Sequence, residues 1–207
     1  MSVDLVYLAS VSPRRSALLA QIGVSFQTLT VAIDESIAPA ETPCAYVSRL
    51  AAAKADAGRR HREASAFPDR PVLAADTAVV LDGEILGKPD DRADGARMLE
   101  RLSGRTHEVL TAVALASATR IAGCVSRSEV TFRAVSGAEA GEYWNTGEPC
   151  DKAGGYAIQG FGAVFVADLR GSYSGVMGLP LYETAEFLRT AGVPRWLATR
   201  WGGSDEH

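Results

Sequence analysis

The sequence lacks the features of several large protein classes. Its three cysteines, Cys44, Cys124 and Cys150, are odd in number and show no C-x-x-C spacing. This argues against a disulfide framework or a structural zinc site, and we expect buried or idle thiols. No apolar run reaches the ~18 residues of a membrane span, and residues 1–4 contain no basic segment of a secretion signal. These absences predict a soluble, cytoplasmic protein without a membrane partner.

An excess of positive charge is also lacking. The 21 Lys and Arg residues are outnumbered by 25 Asp and Glu residues, which gives a formal net charge of −4. No global field would therefore attract nucleic acid, and a phosphate ligand must be held by local cations. The basic run in residues 58–70 has no interleaved aromatic residues, so it predicts a solvated helix end and no nucleic-acid partner.

Common catalytic motifs are missing as well. There is no G-x-x-x-x-G-K-[ST] loop, and Gly160 and Gly162 are not followed by the third glycine of a dinucleotide fingerprint. His61 and His107 are isolated and no G-x-S-x-G occurs, which argues against a serine, cysteine or histidine nucleophile. With 207 residues, 47% of them hydrophobic, and no long linker, the chain predicts one domain over residues 1–207, ending in a peripheral tail at about 193–207.

The most informative stretch is the apolar run at residues 73–81, which contains one carboxylate and one hydroxyl. Two short strands, 72–75 and 78–81, are predicted on either side of Asp76 and Thr77, and Asp82-Gly83 supplies the residues of a hairpin turn. We expect Asp76 to lie where a strand meets a cleft. The alternative is an Asp that bonds a neighbouring backbone N–H in a bulge.

A second informative stretch begins with a short strand at residues 5–9. Ser12 is a good N-cap and Pro13 suits the first helical position, so a helix is predicted from Ser12 with Arg14 and Arg15 in its first turn. The free N–H groups and the two arginines suit a phosphate. The alternative is that both arginines are ordinary solvated residues.

The rest of the chain alternates between strand and helix signals. A helix that starts at Thr42 brings Lys54 near its apolar stripe, where a lysine either extends to water or meets an anion in a cleft. Pro89 stops a strand and leaves Lys88 at its end. Further strands are predicted at 25–31, 106–116, 121–135 and 163–168, and further helices at 91–102, from the capping box of Ser136 and Glu139, and at 181–190.

Together these elements supply acids and cations for one site. The acids are Asp34, Glu35 and Asp76, and the cations are Arg14, Arg15, Lys54, Lys88 and Lys152. Carboxylate oxygens suit Mg²⁺ or Mn²⁺, and clustered cations suit a polyphosphate.

Seven short motifs occur in order along the chain: L-A-S-V-S-P-R-R at 8–15, A-D-T at 75–77, G-K-P at 87–89, L-S-G-R-T-H at 102–107, D-K-A-G at 151–154, I-Q-G at 158–160 and G-L-P at 178–180. This set, within a match from about residue 5 to residue 192, closely resembles the Maf family of nucleoside triphosphate pyrophosphatases. The D-K-A-G and I-Q-G motifs are most similar to the branch that acts on dTTP and UTP, with modified pyrimidine nucleotides as further candidates.

The resemblance implies an α/β fold with a mixed twisted sheet flanked by helices, two lobes around a central cleft, a divalent metal (Mg²⁺ or Mn²⁺) and often a homodimer. It makes Asp76 the proton acceptor and assigns substrate choice to Arg14, Thr77 and Gln159. It also suggests phosphate or metal roles for Ser12, Arg15, Glu35, Lys54 and Lys88, with Glu35 and Asp76 as the carboxylates for metal. The family's association with septum formation leaves open a nucleotide-binding regulator without turnover, although a complete acid set favours catalysis.

Overall fold

The computed structural model describes residues 5–194, so nearly all of the predicted tail, including Trp196 and Trp201, lies outside the described residues. The strands are β1 (Val6–Leu8), β2 (Phe26–Thr28), β3 (Val72–Leu81), β4 (Glu84–Leu86), β5 (Thr106–Ala116), β6 (Ile121–Phe132) and β7 (Val166–Arg170). The helices are α1 (Pro13–Gln21), α2 (Pro43–Ala64), α3 (Arg92–Leu102), α4 (Gly137–Asn145), α5 (Tyr173–Met177) and α6 (Leu181–Thr190). Short 3₁₀ turns cover Glu148–Asp151, Ala153–Gly155 and Phe161–Phe165.

The strands form one mixed sheet in the order β2-β1-β3-β5-β6-β7, with β4 beside β3. Strands β2, β1 and β3 are parallel, and β3, β5, β6 and β7 pair antiparallel. Helices cover both faces, which confirms the expected mixed α/β fold. Within residues 5–194, no helix is both long and apolar enough to cross a membrane.

Strand β3 organises the site because its two edges are paired differently. One edge pairs with β5 over residues 72–80. The other edge pairs with β1 at residues 72–73 and with β4 at residues 79–81, so these two ladders leave a gap beside residues 74–78. The prediction of two short strands was wrong, since Asp76 lies inside one continuous strand. It still reaches a cleft because the gap opens beside it.

The core is divided into three apolar clusters. Helix α2 packs on one sheet face, where its Val47, Ala51 and Ala55 meet the β3 side chains of Ala74 and Ala78. Helices α1 and α6 cover the other face beside β1, and α3 and α4 enclose a third cluster around β4 to β7. The expected division into two lobes stays a prediction.

Local signals predicted several element ends correctly. The Thr42 hydroxyl accepts from Ala45 N at 3.3 Å, the Asp91 carboxylate accepts from Asp94 N at 2.8 Å, and Ser136 and Glu139 form the capping box. Ser12 is the N-cap residue of α1, but its side chain makes no capping hydrogen bond.

Other boundaries differ from the predictions where long-range contacts decide them. The expected strand at 163–168 begins only at Val166, because the preceding residues form a 3₁₀ turn. The strand predicted at 25–31 is limited to Phe26–Thr28, and the one predicted at 121–135 ends at Phe132. Residues 58–70 are not all exposed: Arg62 is only 3% exposed, since its guanidinium donates to Arg70 O and pairs with Asp69.

Candidate active site

A cavity of about 520 Å³ opens between the segment joining β1 to α1, helix α2 and the loop before β7. Asp34, the third acid expected at the site, is not a lining residue, and its carboxylate instead accepts from Ser36 N–H at 2.9 Å. The lining does include the nine residues that were assigned to substrate or metal. These are Ser12, Arg14, Arg15, Glu35, Lys54, Asp76, Thr77, Lys88 and Gln159. The cavity thus brings together residues that are up to 147 positions apart in the sequence.

The carboxylates meet at a single ammonium group. Lys54 Nζ lies 2.7 Å from Asp76 Oδ1 and 2.6 Å from Glu35 Oε1. Side-chain alternation places Asp76 on the face of β3 that packs against α2, the helix that carries Lys54. Glu35 comes from the loop before α2, and Tyr46 supports that loop by donating its hydroxyl to Glu35 O at 3.1 Å.

The two carboxyl groups titrate differently. Burial raises the pKa of the Asp76 carboxyl above its usual value, and the attraction of Lys54 and Arg15 for its charged form only partly opposes this. The hydrogen bond from Lys54 lowers the pKa of the more exposed Glu35. Asp76 is therefore the better proton acceptor, whereas Glu35 stays ionised.

On the other face of β3, Thr77 belongs to a hydrogen-bonded chain whose direction can be assigned. The Thr111 hydroxyl donates to Gly175 O at 2.7 Å, so it can only accept from Thr77 Oγ1 at 3.0 Å. Arg15 Nη2 in turn donates to Thr77 Oγ1 at 3.3 Å. The Thr77 proton is thus committed to Thr111, and the hydroxyl offers a ligand only acceptor capacity.

The two adjacent arginines of α1 have different surroundings. Arg15 points inward, where its Nε donates to Gly178 O at 2.8 Å, and burial lowers the pKa of its guanidinium. Arg14 faces the cavity mouth, 3.9 Å from Asp151, which also pairs with Lys152. Burial would raise the pKa of Asp151, but the bond from Lys152 and the charge of Arg14 outweigh it and lower that pKa. An acid at the mouth thus neutralises cations that an anionic ligand would meet.

The remaining predicted residues are accessible to a ligand. Lys88 follows β4 and is exposed, and Ser12 is half-buried beside the N-terminus of α1. Gln159 is exposed on a turn and also lines the cavity. Sequence reasoning missed Tyr46 and Thr111, although a lone hydroxyl in the buried apolar run of β5 is a recognisable signal for the second.

The donor set is compatible with a divalent ion that arrives with a nucleotide. Within residues 5–194 there is no group of three or more His, Cys, Asp or Glu side chains that could hold a metal. Mg²⁺ in nucleotide enzymes commonly uses one or two carboxylates and takes other ligands from substrate phosphates and water. Asp76 and Glu35, bridged by one lysine, supply that number of carboxylates.

Known proteins resemble this chain over most of its length. The family model described as a Maf-like protein matches residues 5–191. A relative from Pseudoalteromonas translucida, named dTTP/UTP pyrophosphatase, is 52% identical over 185 residues, which cover 89% of this chain and 96% of the relative. A relative of the same name from Saccharophagus degradans is 53% identical over 195 residues, covering 94% and 92%. The solved Staphylococcus aureus Ham1 protein covers 62% of this chain and 71% of its own at 12% identity, with a TM-score of 0.42 too low to carry an argument.

Proposed function

The chain belongs to the Maf family, and from this premise we propose that it is a nucleoside triphosphate pyrophosphatase that hydrolyses dTTP and UTP to the nucleoside monophosphate and pyrophosphate. The observation that carries the proposal is the buried Asp76 carboxylate in a cavity lined by Arg14, Arg15 and Lys88. Relatives named for this activity are about half identical to this chain, and the alignments cover about nine tenths of it. The proposal places the reaction in the cytoplasm.

Asp76 is the residue that orients and deprotonates the attacking water. Its raised pKa makes it a stronger base than an ordinary aspartate, and Lys54 opposes that rise by favouring the charged form. Arg14, Arg15 and Lys88 stabilise the charge that develops on the leaving pyrophosphate. Arg15 is the best oriented of these cations, because Gly178 O and Thr77 both fix its guanidinium.

Glu35 and Asp76 are the residues that would hold a divalent cation, Mg²⁺ or Mn²⁺. When bound, such an ion supplies charge neutralisation at the phosphate oxygens and helps to orient the substrate.

Gln159 is the residue proposed to read the base. Uracil and thymine present an N3–H donor beside the O4 acceptor, and one carboxamide can pair with both. A flipped amide would suit cytosine equally well, and guanine offers the same adjacent groups as uracil. Selectivity therefore depends on how the neighbours of Gln159 fix its orientation.

A nucleotide panel with product identification tests the proposal. With Mg²⁺, we expect dTTP and UTP to be hydrolysed best, with pyrophosphate as the first phosphate product and full loss of activity in excess chelator. Primary release of orthophosphate and nucleoside diphosphate would contradict the cleavage site. Nucleotide binding without turnover would favour the regulator of septum formation. The homodimer implied by the family stays a prediction, checked by whether the purified protein sediments at twice the 21.8 kDa mass of the chain.

A further inference from the structure

The backbone of the loop that carries Gln159 donates hydrogen bonds to two side chains, Tyr143 and Glu148, that do not line the cavity. On one side of Gln159, Ala157 N–H donates to Tyr143 Oη at 3.1 Å. On the other side, Phe161 N–H donates to Glu148 Oε2 at 3.0 Å and Gly162 N–H donates to Glu148 Oε1 at 2.9 Å. Neither Tyr143 nor Glu148 is a lining residue.

The two side chains form one unit, which we call the carboxylate clamp. The Tyr143 hydroxyl donates to Glu148 Oε1 at 2.6 Å, so the hydroxyl that receives the Ala157 N–H is itself bonded to the carboxylate. Tyr143 is 5% exposed on α4, with its ring edge-on to Phe165 at 5.1 Å. Burial would raise the pKa of Glu148, but Tyr143 and the two backbone N–H groups outweigh it and lower that pKa, so the carboxylate stays ionised.

Close approach between clamp and loop gives independent support. A Cβ at Gly160 would overlap the Glu148 carboxylate, and a Cβ at Gly162 would lie 2.7 Å from Tyr143 Oη. Gly160 has a φ of −118°, so its lack of a side chain serves this approach and is not required by its backbone conformation. The loop backbone thus rests directly on the clamp.

We propose that Glu148, supported by Tyr143, is a positioning residue that fixes the direction of the Gln159 carboxamide and thereby determines which base is accepted. The inference rests on the proposed function, because it concerns the discrimination of nucleotide bases. A carboxamide can read uracil in one orientation and cytosine in the other, so a fixed loop backbone is needed to make the choice. Arg14 and Arg15 belong to α1 and Lys88 follows β4, so the cations assigned to the pyrophosphate lie on other elements than the clamp.

Glu148→Gln tests this with almost no change in shape. The new NH₂ group would face a backbone N–H donor, so one of the two loop bonds is lost. We expect the ratio of kcat/KM for dTTP to kcat/KM for dCTP to fall by about tenfold or more, mainly because KM for dTTP rises. A tenfold change is the size of effect expected from the loss of one hydrogen bond to a charged group. The inhibition constant of inorganic pyrophosphate should stay within twofold. Tyr143→Phe, which keeps the ring and removes the acceptor for Ala157, should act in the same direction.

Glu139→Gln is the matched control. Glu139 also accepts a backbone N–H, that of Ser136, and pairs with Arg133, but it caps α4 and does not contact the loop. We expect this variant to leave the base preference unchanged. The proposal is overturned if Glu148→Gln keeps the dTTP to dCTP ratio within twofold, or if it weakens all nucleotides and pyrophosphate equally, as general loss of structure would.

Hydrogen exchange separates failure of this inference from failure of the proposed function. In nucleotide-free Glu148→Gln, we expect one of the two loop amides, that of Phe161 or that of Gly162, to lose protection while those of β5 keep it. Unchanged protection of both loop amides would overturn the clamp whatever the substrate. Absence of dTTP and UTP hydrolysis by the wild-type protein would instead refute the proposed function.

Discussion

At the scale of single residues, the decisive feature is the balance of burial and charge at Asp76. Desolvation favours the protonated carboxyl, and Lys54, 2.7 Å away, favours the carboxylate. In the proposed mechanism Asp76 must be ionised to accept a proton, so we expect activity to fall as the pH drops through its raised pKa. Lys54 is then expected to set the pH at which the site becomes competent.

Replacing Lys54 with Met should move the acidic limb of the kcat/KM profile to higher pH. The substitution removes the attraction that lowers the Asp76 pKa and leaves desolvation less opposed, so the carboxyl holds its proton to a higher pH. Profiles of wild type and variant from pH 4 to 9 measure the shift. Lys88→Met removes another cavity cation that does not contact Asp76, and its acidic limb should stay in place even if its kcat/KM falls.

Asp76→Asn should lower kcat by ~10²-fold or more, the usual scale for loss of a general base. Asn keeps the shape of the side chain and removes its charge and basicity. Single-turnover rates, with circular dichroism as a check on folding, provide the measurement. A folded variant with kcat within about threefold of wild type would make Asp76 a structural residue.

Thr111→Val should reduce both stability and turnover. It leaves the Gly175 carbonyl without its donor and frees the Thr77 hydroxyl that bonds Arg15. We expect the free energy of unfolding to fall by ~1–3 kcal/mol, the cost of an unsatisfied buried acceptor. Denaturant titration and kcat/KM for dTTP measure the two effects. Thr111→Ser, which keeps the hydroxyl, should restore most of both, and equal loss in the two variants would exclude the hydrogen bond as the cause.

At the scale of elements, the sequence predicts what neighbouring residues decide. The caps at Thr42, Asp91 and Ser136 and the turn at Asp82-Gly83 depend on contacts within a few positions, and all are present. The continuity of β3 through Asp76 depends on β5, which lies about 35 residues later in the chain. A carboxylate inside an apolar run disfavours a strand locally, but nine consecutive pairs with β5 override that preference.

The same distinction applies to the candidate site. Most of the residues assigned to substrate or metal were named from motifs, and all of those assigned residues line one cavity. Thr111, Tyr143 and Glu148 were missed because they act through backbone groups of distant segments. A hydrogen bond from Gly162 N–H to a glutamate 14 positions earlier leaves no local pattern in the sequence.

Gly58→Ala should destabilise the protein although Ala is the better helix former. A Cβ at Gly58 would lie 2.7 Å from Val72 Cγ1 and 3.0 Å from Ala9 Cβ, so α2 would have to move away from the sheet. Overpacking typically costs ~1–3 kcal/mol, more than the ~1 kcal/mol gained in helix propensity. Denaturant unfolding is the measurement. Gly137→Ala, where a Cβ on α4 meets nothing within 4 Å, should be neutral or stabilising, and similar losses in both would refute close packing at Gly58.

At the scale of the whole molecule, the formal charge of −4 opposes an anionic substrate, and binding relies on where the cations are placed. Arg14 lines the cavity, whereas Arg60 is an exposed residue of α2 paired with Asp56. The two arginines contribute equally to net charge and differently to the site.

Arg14→Ala should therefore lower kcat/KM for dTTP, through a loss of a few kcal/mol of transition-state stabilisation. Arg60→Ala should leave kcat/KM unchanged. Both variants carry the same net charge, so a difference between them reports local contact with phosphate. Initial rates at fixed ionic strength measure it. Equal effects would mean that the overall field, and not the cavity, governs the reaction.

The pairing of β3 also bears on how activity is lost on heating. Asp76 and Thr77 open to the cleft on one edge of β3, while the other edge is bonded to β5 along residues 72–80. Core strands open with free energies that approach that of global unfolding, whereas loops open more easily. Asp76 should therefore be displaced only when the sheet is lost, and heat inactivation that precedes loss of the sheet would point to the loops that carry Glu35 and Gln159.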